Sequence, residues 1–118
     1  MSRISQATRD AMLKAKLTAK ETSIRHNQDK TKWSLVDFNS IEGLVKVLEF
    51  GVEKYGLDNW KIGLDPNETL ESLMRHTIKL LNGEQLDDET NLNHAYHIMA
   101  NAMFYIYHKN KENELDNK

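Results

Sequence analysis

A single proline, Pro66, interrupts a chain whose apolar residues recur at helical rather than strand spacing. Between Ile41 and Tyr55 the sequence "IEGLVKVLEFGVEKY" puts Ile41, Leu44, Val45, Leu48, Val52 and Tyr55 on one stripe of a helix. Little of the chain alternates apolar and polar residues with period two, the pattern a half-buried strand requires. With long stretches of strong helix formers, the fold class that follows is all-α.

Three core helices are expected. The first runs from about residue 41 to 55, with Asn39 and Glu42 at the spacing of a capping box and Gly56 as a left-handed stop. The second covers about 67 to 82, where Asp65 is the cap, Pro66 the first-turn proline and Glu68 the acid of the third position. Leu70, Leu73, Met74, Thr77 and Leu81 form its inward stripe, and Gly83 ends it. The third spans about 93 to 109. Upstream, Ile4, Ala7, Ala11, Leu13 and Leu17 make only a thin stripe, as in a loosely packed arm or a helix that docks on a partner subunit. The polar end "NKENELDNK" reads as disordered. The division is a basic arm over 1–25, one helical domain over 26–109 and a disordered tail over 110–118, with both termini flexible.

At 118 residues one domain is expected, burying roughly two thirds of the surface its unfolded chain exposes. No cysteine is present, which excludes disulfides and thiolate metal sites. No apolar run approaches the roughly 20 residues that span a bilayer, and the first residues lack a signal core, so a soluble cytoplasmic protein with no membrane partner is expected. Residues 1–32 hold eight lysines and arginines against three acids, whereas residues 33–118 hold eight against fifteen. An acidic body thus carries a basic arm. A charge run of this kind is ordinarily solvated surface, and nucleic-acid binding is not expected from it.

The acidic body is the sharper clue. Residues 83–97, "GEQLDDETNLNHAYH", follow Glu84, Asp87, Asp88 and Glu89 with His94 and His97. At helical pitch His94, His97, Asn101 and His108 share one face of the third helix, whose remaining surface is largely apolar. A polar stripe on such a helix must be paired or must bind something. Glu49 and Glu53 stand one turn apart on the first core helix. Either the histidines hydrogen-bond to neighbours inside a bundle, or acids and imidazoles together form a metal or phosphate site. Alone, Arg75-His76 reads as solvent-exposed, and Lys54, Asn59 and Trp60 as an ordinary helix end and loop. Lys30 and Lys32 beside Trp33 fit a charged loop pinned by an aromatic, or phosphate-holding cations beside a stacking indole.

The strings "DKTKW", "FGVEKYGLDNW" and "LMRHTIKLLNGEQLDDETNLNHAYHIMANAMFYIY" resemble a small phage-associated family, the dATP/dGTP diphosphohydrolase N-terminal domains. That family is similar in turn to the MazG-like all-α nucleoside triphosphate pyrophosphohydrolases. The resemblance covers roughly residues 26–108 through Lys54-Tyr55-Gly56, Asn59-Trp60, Arg75-His76, Gly83-Glu84, Asp87, His94, His97 and Asn101.

What the resemblance implies is a MazG-like helical bundle that hydrolyses a purine nucleoside triphosphate, dATP or dGTP, to the monophosphate and pyrophosphate, in the host cytoplasm if phage-encoded. It further implies a divalent cofactor, Mg²⁺ or Mn²⁺, held by Glu84, Asp87, His94 and His97, to which helix geometry adds Glu49 and Glu53; Glu53, His94 and His97 are the expected catalytic residues. His76 is the substitute for one of Glu49 and Glu53. Lys30, Lys32, Lys54 and Arg75 then hold phosphates, and Asn59, Trp60 and Asn101 position the nucleotide. MazG-like enzymes carry E-x-x-E on one helix and E-x-x-D on the next; here His94 and His97 replace the second pair, which favours a softer ion or a histidine proton carrier. A homo-oligomer, dimer or tetramer, is expected, with Phe104, Tyr105 and Tyr107 as its surface. The alternatives are a nucleotide-binding protein that sequesters or senses without catalysis, and a helical interaction module.

Overall fold

The computed structural model describes residues 5–13, 24–25 and 28–116, which fall into two compact units, residues 1–35 and residues 36–118. In the first unit residues 6–13 are helical, opened by Ser5, whose Oγ accepts the Thr8 N–H at 3.2 Å. Ile4 and Leu17, expected on the stripe of this segment, lie outside the described residues. Trp33–Leu35 form one 3₁₀ turn.

The second unit consists of α1 (Phe38–Tyr55), α2 (Pro66–Leu81) and α3 (His94–Asp116), with a 3₁₀ turn at Asn59–Lys61 between α1 and α2. No strand occurs among the described residues, and the all-α class holds. α2 starts as its sequence dictates: Asp65 is the N-cap, its carboxylate accepts the Asn67 N–H at 2.9 Å, and Pro66 leads the first turn. The start of α1 differs from expectation. Asp37 rather than Asn39 is the cap residue, and the Ser40 hydroxyl binds its carboxylate, so the Asn39/Glu42 box does not form. At the other end Gly56 takes φ 96° and ψ 162°, a mirror-extended rather than left-handed helical stop, while its N–H still closes onto Val52 O at 2.8 Å. α3 also corrects the reading of the tail. It continues through Asp116, and Lys109–Glu112 and Lys111–Glu114 pair one turn apart along the added length.

α3 packs along α2 and more sparingly against α1. Where α1 approaches most closely, Gly43 is buried against the Tyr96 ring, and a Cβ there would overlap it. This contact turns α1 so that Gly43, Leu44, Val47, Leu48 and Phe50 face inward, while Val45, Val52 and Tyr55 of the expected stripe remain exposed. α2 is likewise turned. Thr69, Ser72, Leu73, His76 and Thr77 lie inward, and Leu70, Met74 and Leu81 outward. Among the described residues Ala100 is the only fully buried hydrophobic side chain, and Thr69, His94 and His108 are the buried polar ones. The most deeply buried side chains of α2 and α3 are therefore mostly polar. No helix among the described residues is long and apolar enough to cross a membrane.

Candidate metal and nucleotide site

The acidic segment between α2 and α3 is a closed turn. An isolated bridge pairs Leu86 with Asn93, Asp87 N–H donates to Leu92 O and His94 N–H donates to Gln85 O, both at 2.8 Å. Inside it one oxygen of Asp87, Oδ2, accepts the Glu89 N–H at 3.1 Å, the Thr90 N–H at 2.9 Å and the Thr90 hydroxyl at 3.0 Å. Partial burial pushes the Asp87 carboxyl upward, but the bonds from Thr90 and the nearby His97 and His76 outweigh it and hold the group below its usual value. Asn93 then opens α3, its side-chain oxygen accepting the Ala95 N–H at 2.8 Å.

Three imidazoles meet beside this turn. His76 from α2 stacks on His97 from α3, with ring centroids 4.6 Å apart and planes 9° from parallel. Its Nδ1 lies 2.7 Å from Nδ1 of His94, which is 1% exposed, so one of these two nitrogens donates and the other accepts. His97 Nε2 lies 2.7 Å from Thr90 Oγ1 and 3.8 Å from Asp87 Oδ2. Burial lowers the basicity of both His76 and His97, so neutral rings with free lone pairs are favoured. Ligand atoms of His76, Asp87 and His94 all lie within 4.8 Å of one another. An ion about 2.1 Å from each donor holds donors roughly 3 to 4 Å apart, so the group fits a divalent cation with little movement. Two imidazoles and one carboxylate favour Mn²⁺ or a softer ion over Mg²⁺.

His76, Asp87, Thr90 and His97 border a cleft of about 680 Å³ lined by all three helices, within the range of small-molecule sites, with His94 buried behind them. Lys54, Arg75, Asn59, Trp60 and Asn101, all expected at the site, line it with Asp87 and His97. Lys54 Nζ reaches Glu89 of the acidic turn at 2.7 Å, a bond that raises its ammonium above the ordinary value. Asn101 donates to Ser72 Oγ at 3.1 Å and to His97 O at 2.9 Å. Trp60 stacks on Phe104 at 4.8 Å, and its carbonyl accepts from His108 Nε2 at 2.7 Å.

Other expected residues lie elsewhere. Glu49 borders a shallow groove with Phe38 and Val45 on the outer side of α1, and neither Glu53 nor Glu84 lines the cleft. Both acids of α1 are expected on a strip beside the apolar stripe, and the Gly43–Tyr96 contact turns that strip away from the cleft. Lys30 and Lys32 belong to the first unit. His76, read from sequence as exposed and then as a substitute for one acid, faces the other histidines. Thr90 was not anticipated, although its place three residues after Asp87 is the spacing of a side-chain-closed turn.

Comparison with known proteins places the chain in a family. The family described as dATP/dGTP diphosphohydrolase, N-terminal, matches residues 20–118. A protein of Salmonella phage PMBT28 named dATP/dGTP diphosphohydrolase is 35% identical over 97 residues, covering 82% of this chain and 33% of its own length. The chain thus spans about a third of that relative. No solved structure matches.

Proposed function

The chain belongs to the dATP/dGTP diphosphohydrolase N-terminal family, and from that premise we propose that it hydrolyses a purine deoxynucleoside triphosphate to the monophosphate and pyrophosphate with a divalent metal. The observation that carries the reading is the convergence of His76, Asp87 and His94 within 4.8 Å of one another, with His76 and Asp87 lining a cleft that also presents two cations. When bound, the ion would supply charge neutralisation for the phosphates and acidify a water.

The chain's own groups supply the rest. Lys54 and Arg75 hold the phosphates, and Lys54 exchanges Glu89 for a phosphate oxygen as substrate enters. His97, neutral because burial disfavours its charge, takes the proton of the attacking water. Trp60 and Phe104 give the base an aromatic wall, with Asn59 and Asn101 beside it.

The test is a screen of purified protein against deoxy- and ribonucleoside triphosphates with Mg²⁺ or Mn²⁺, following monophosphate and pyrophosphate together. Turnover of dATP or dGTP is expected, and Asp87→Asn and His97→Ala should each lower kcat by about 100-fold or more. Nucleotide that binds and stays intact for hours would identify a sequestering protein and overturn the hydrolytic reading.

A further inference from the structure

Thr90 Oγ1 sits between two groups that place opposite demands on it. It lies 3.0 Å from Asp87 Oδ2 and 2.7 Å from His97 Nε2, and it also accepts the Leu92 N–H at 3.3 Å. A hydroxyl has one proton to give. The oxygen of Asp87 that it faces already receives two backbone N–H groups, from Glu89 and Thr90, and can only accept. The hydroxyl proton therefore points at Asp87, and the contact with His97 must run the other way, with Nε2–H donating to Thr90 Oγ1.

We propose that Thr90 is a positioning residue that holds His97 as the Nε2–H tautomer, so that Nδ1 carries the lone pair of the ring. The chain of donation runs from His97 Nε2–H to Thr90 Oγ1 and from the Thr90 hydroxyl to Asp87. Stacking on His76 fixes the plane of the ring, and the hydroxyl fixes its rotation about that plane. A threonine thus does for His97 what a carboxylate or backbone carbonyl does for many functional histidines, while leaving the second oxygen of Asp87 without a hydrogen bond among the described residues. The consequence for turnover rests on the hydrolytic reading above; the tautomer does not.

Long-range proton–nitrogen correlation spectra of full-length, ¹⁵N-histidine-labelled, metal-free protein test the assignment directly. His97 should show a protonated Nε2 and an unprotonated Nδ1 in the wild type and in Thr90→Ser. In Thr90→Val, where the next acceptor is 3.8 Å away, the two nitrogens should move toward averaged values while those of His108 stay put. A protonated Nδ1 in the wild type, or unchanged His97 nitrogens in folded Thr90→Val, would overturn the proposal. With Mn²⁺ and dATP or dGTP, Thr90→Val should lower kcat about 10- to 100-fold with little change in KM, and Thr90→Ser should restore it. If no nucleotide turns over in the wild type yet Nε2–H is observed, the hydrolytic reading fails and the role of Thr90 stands.

Discussion

Burial holds the His76 imidazole down to about 4, against an ordinary 6.5, and the His97 and His94 rings deepen the shift while Asp87 opposes it. The folded chain therefore resists a proton that the unfolded chain takes up below pH 6.5. Between about pH 6.5 and 4 the unfolded state binds more protons, so stability is fully expressed above that window and is lost as pH falls through it. Asp87, whose carboxyl is held low, acts with the same acid-sensitive sign but only at lower pH. In EDTA-treated protein the thermal midpoint should fall on acidification from pH 6.5 to 4, and His76→Asn should remove much of that slope; a flat wild-type profile by circular dichroism would contradict this origin. His76 sat outside the apolar stripe drawn from Leu70, Leu73 and Met74 because hydrophobic periodicity assumes that the buried face is the greasy one. In α2 Thr69, Ser72 and His76 turn inward beside Leu73 and Thr77 of that stripe.

At the scale of elements, α2 was legible in detail because its signals are local. A cap carboxylate, a proline and a first-turn acid lie in four consecutive residues, Asp65 to Glu68, and need no partner element to act. The rotation of α1 was not legible. Its phase depends on Gly43, which carries no hydrophobic weight yet admits the Tyr96 ring from α3. Gly43→Ala should destabilise the protein by about 1 to 3 kcal/mol through overpacking, despite alanine's better helix propensity. In a Tyr96→Ala background the same substitution should cost nothing or stabilise, and a double-mutant cycle in urea measures the coupling. A cycle without coupling would place the constraint elsewhere. The tail differs from expectation for a related reason: polar composition argues for disorder, while α3 continues to Asp116 with ion pairs one turn apart along the added length.

For the molecule as a whole, the distribution of apolar surface matters most. Phe38 and Val45 lie exposed along α1 away from the cleft, and Leu70, Met74, Ile78 and Leu81 along α2, while Ala100 alone is buried among the described hydrophobic residues. Phe104 and Tyr107, expected to form a subunit surface, pack instead around Trp60. Exposed stripes of this extent are costly in water and are ordinarily covered. We expect a dimer or tetramer that covers the α1 and α2 stripes, and light scattering at micromolar concentration should report it. Paired charges such as Val45→Glu with Met74→Lys should shift the mass toward monomer; a monomeric wild type would show that the stripes stay uncovered.

What the sequence determined by itself is what nearest neighbours along the chain decide. The helical class, the cap of α2 and the shared face of His94, His97 and Asn101 all follow from spacing and local hydrogen bonding, which act within a few residues. The tertiary structure decided which faces meet. It drew His76 from α2 onto His94 and His97 from α3, closed Asp87 and Thr90 around His97, and turned Glu49 and Glu53 away from the cleft. The physical reason is that a helix has a continuous choice of rotation about its axis. That choice is made by the least compressible contact on it, here a glycine against an aromatic ring, rather than by the average hydrophobicity of its stripe.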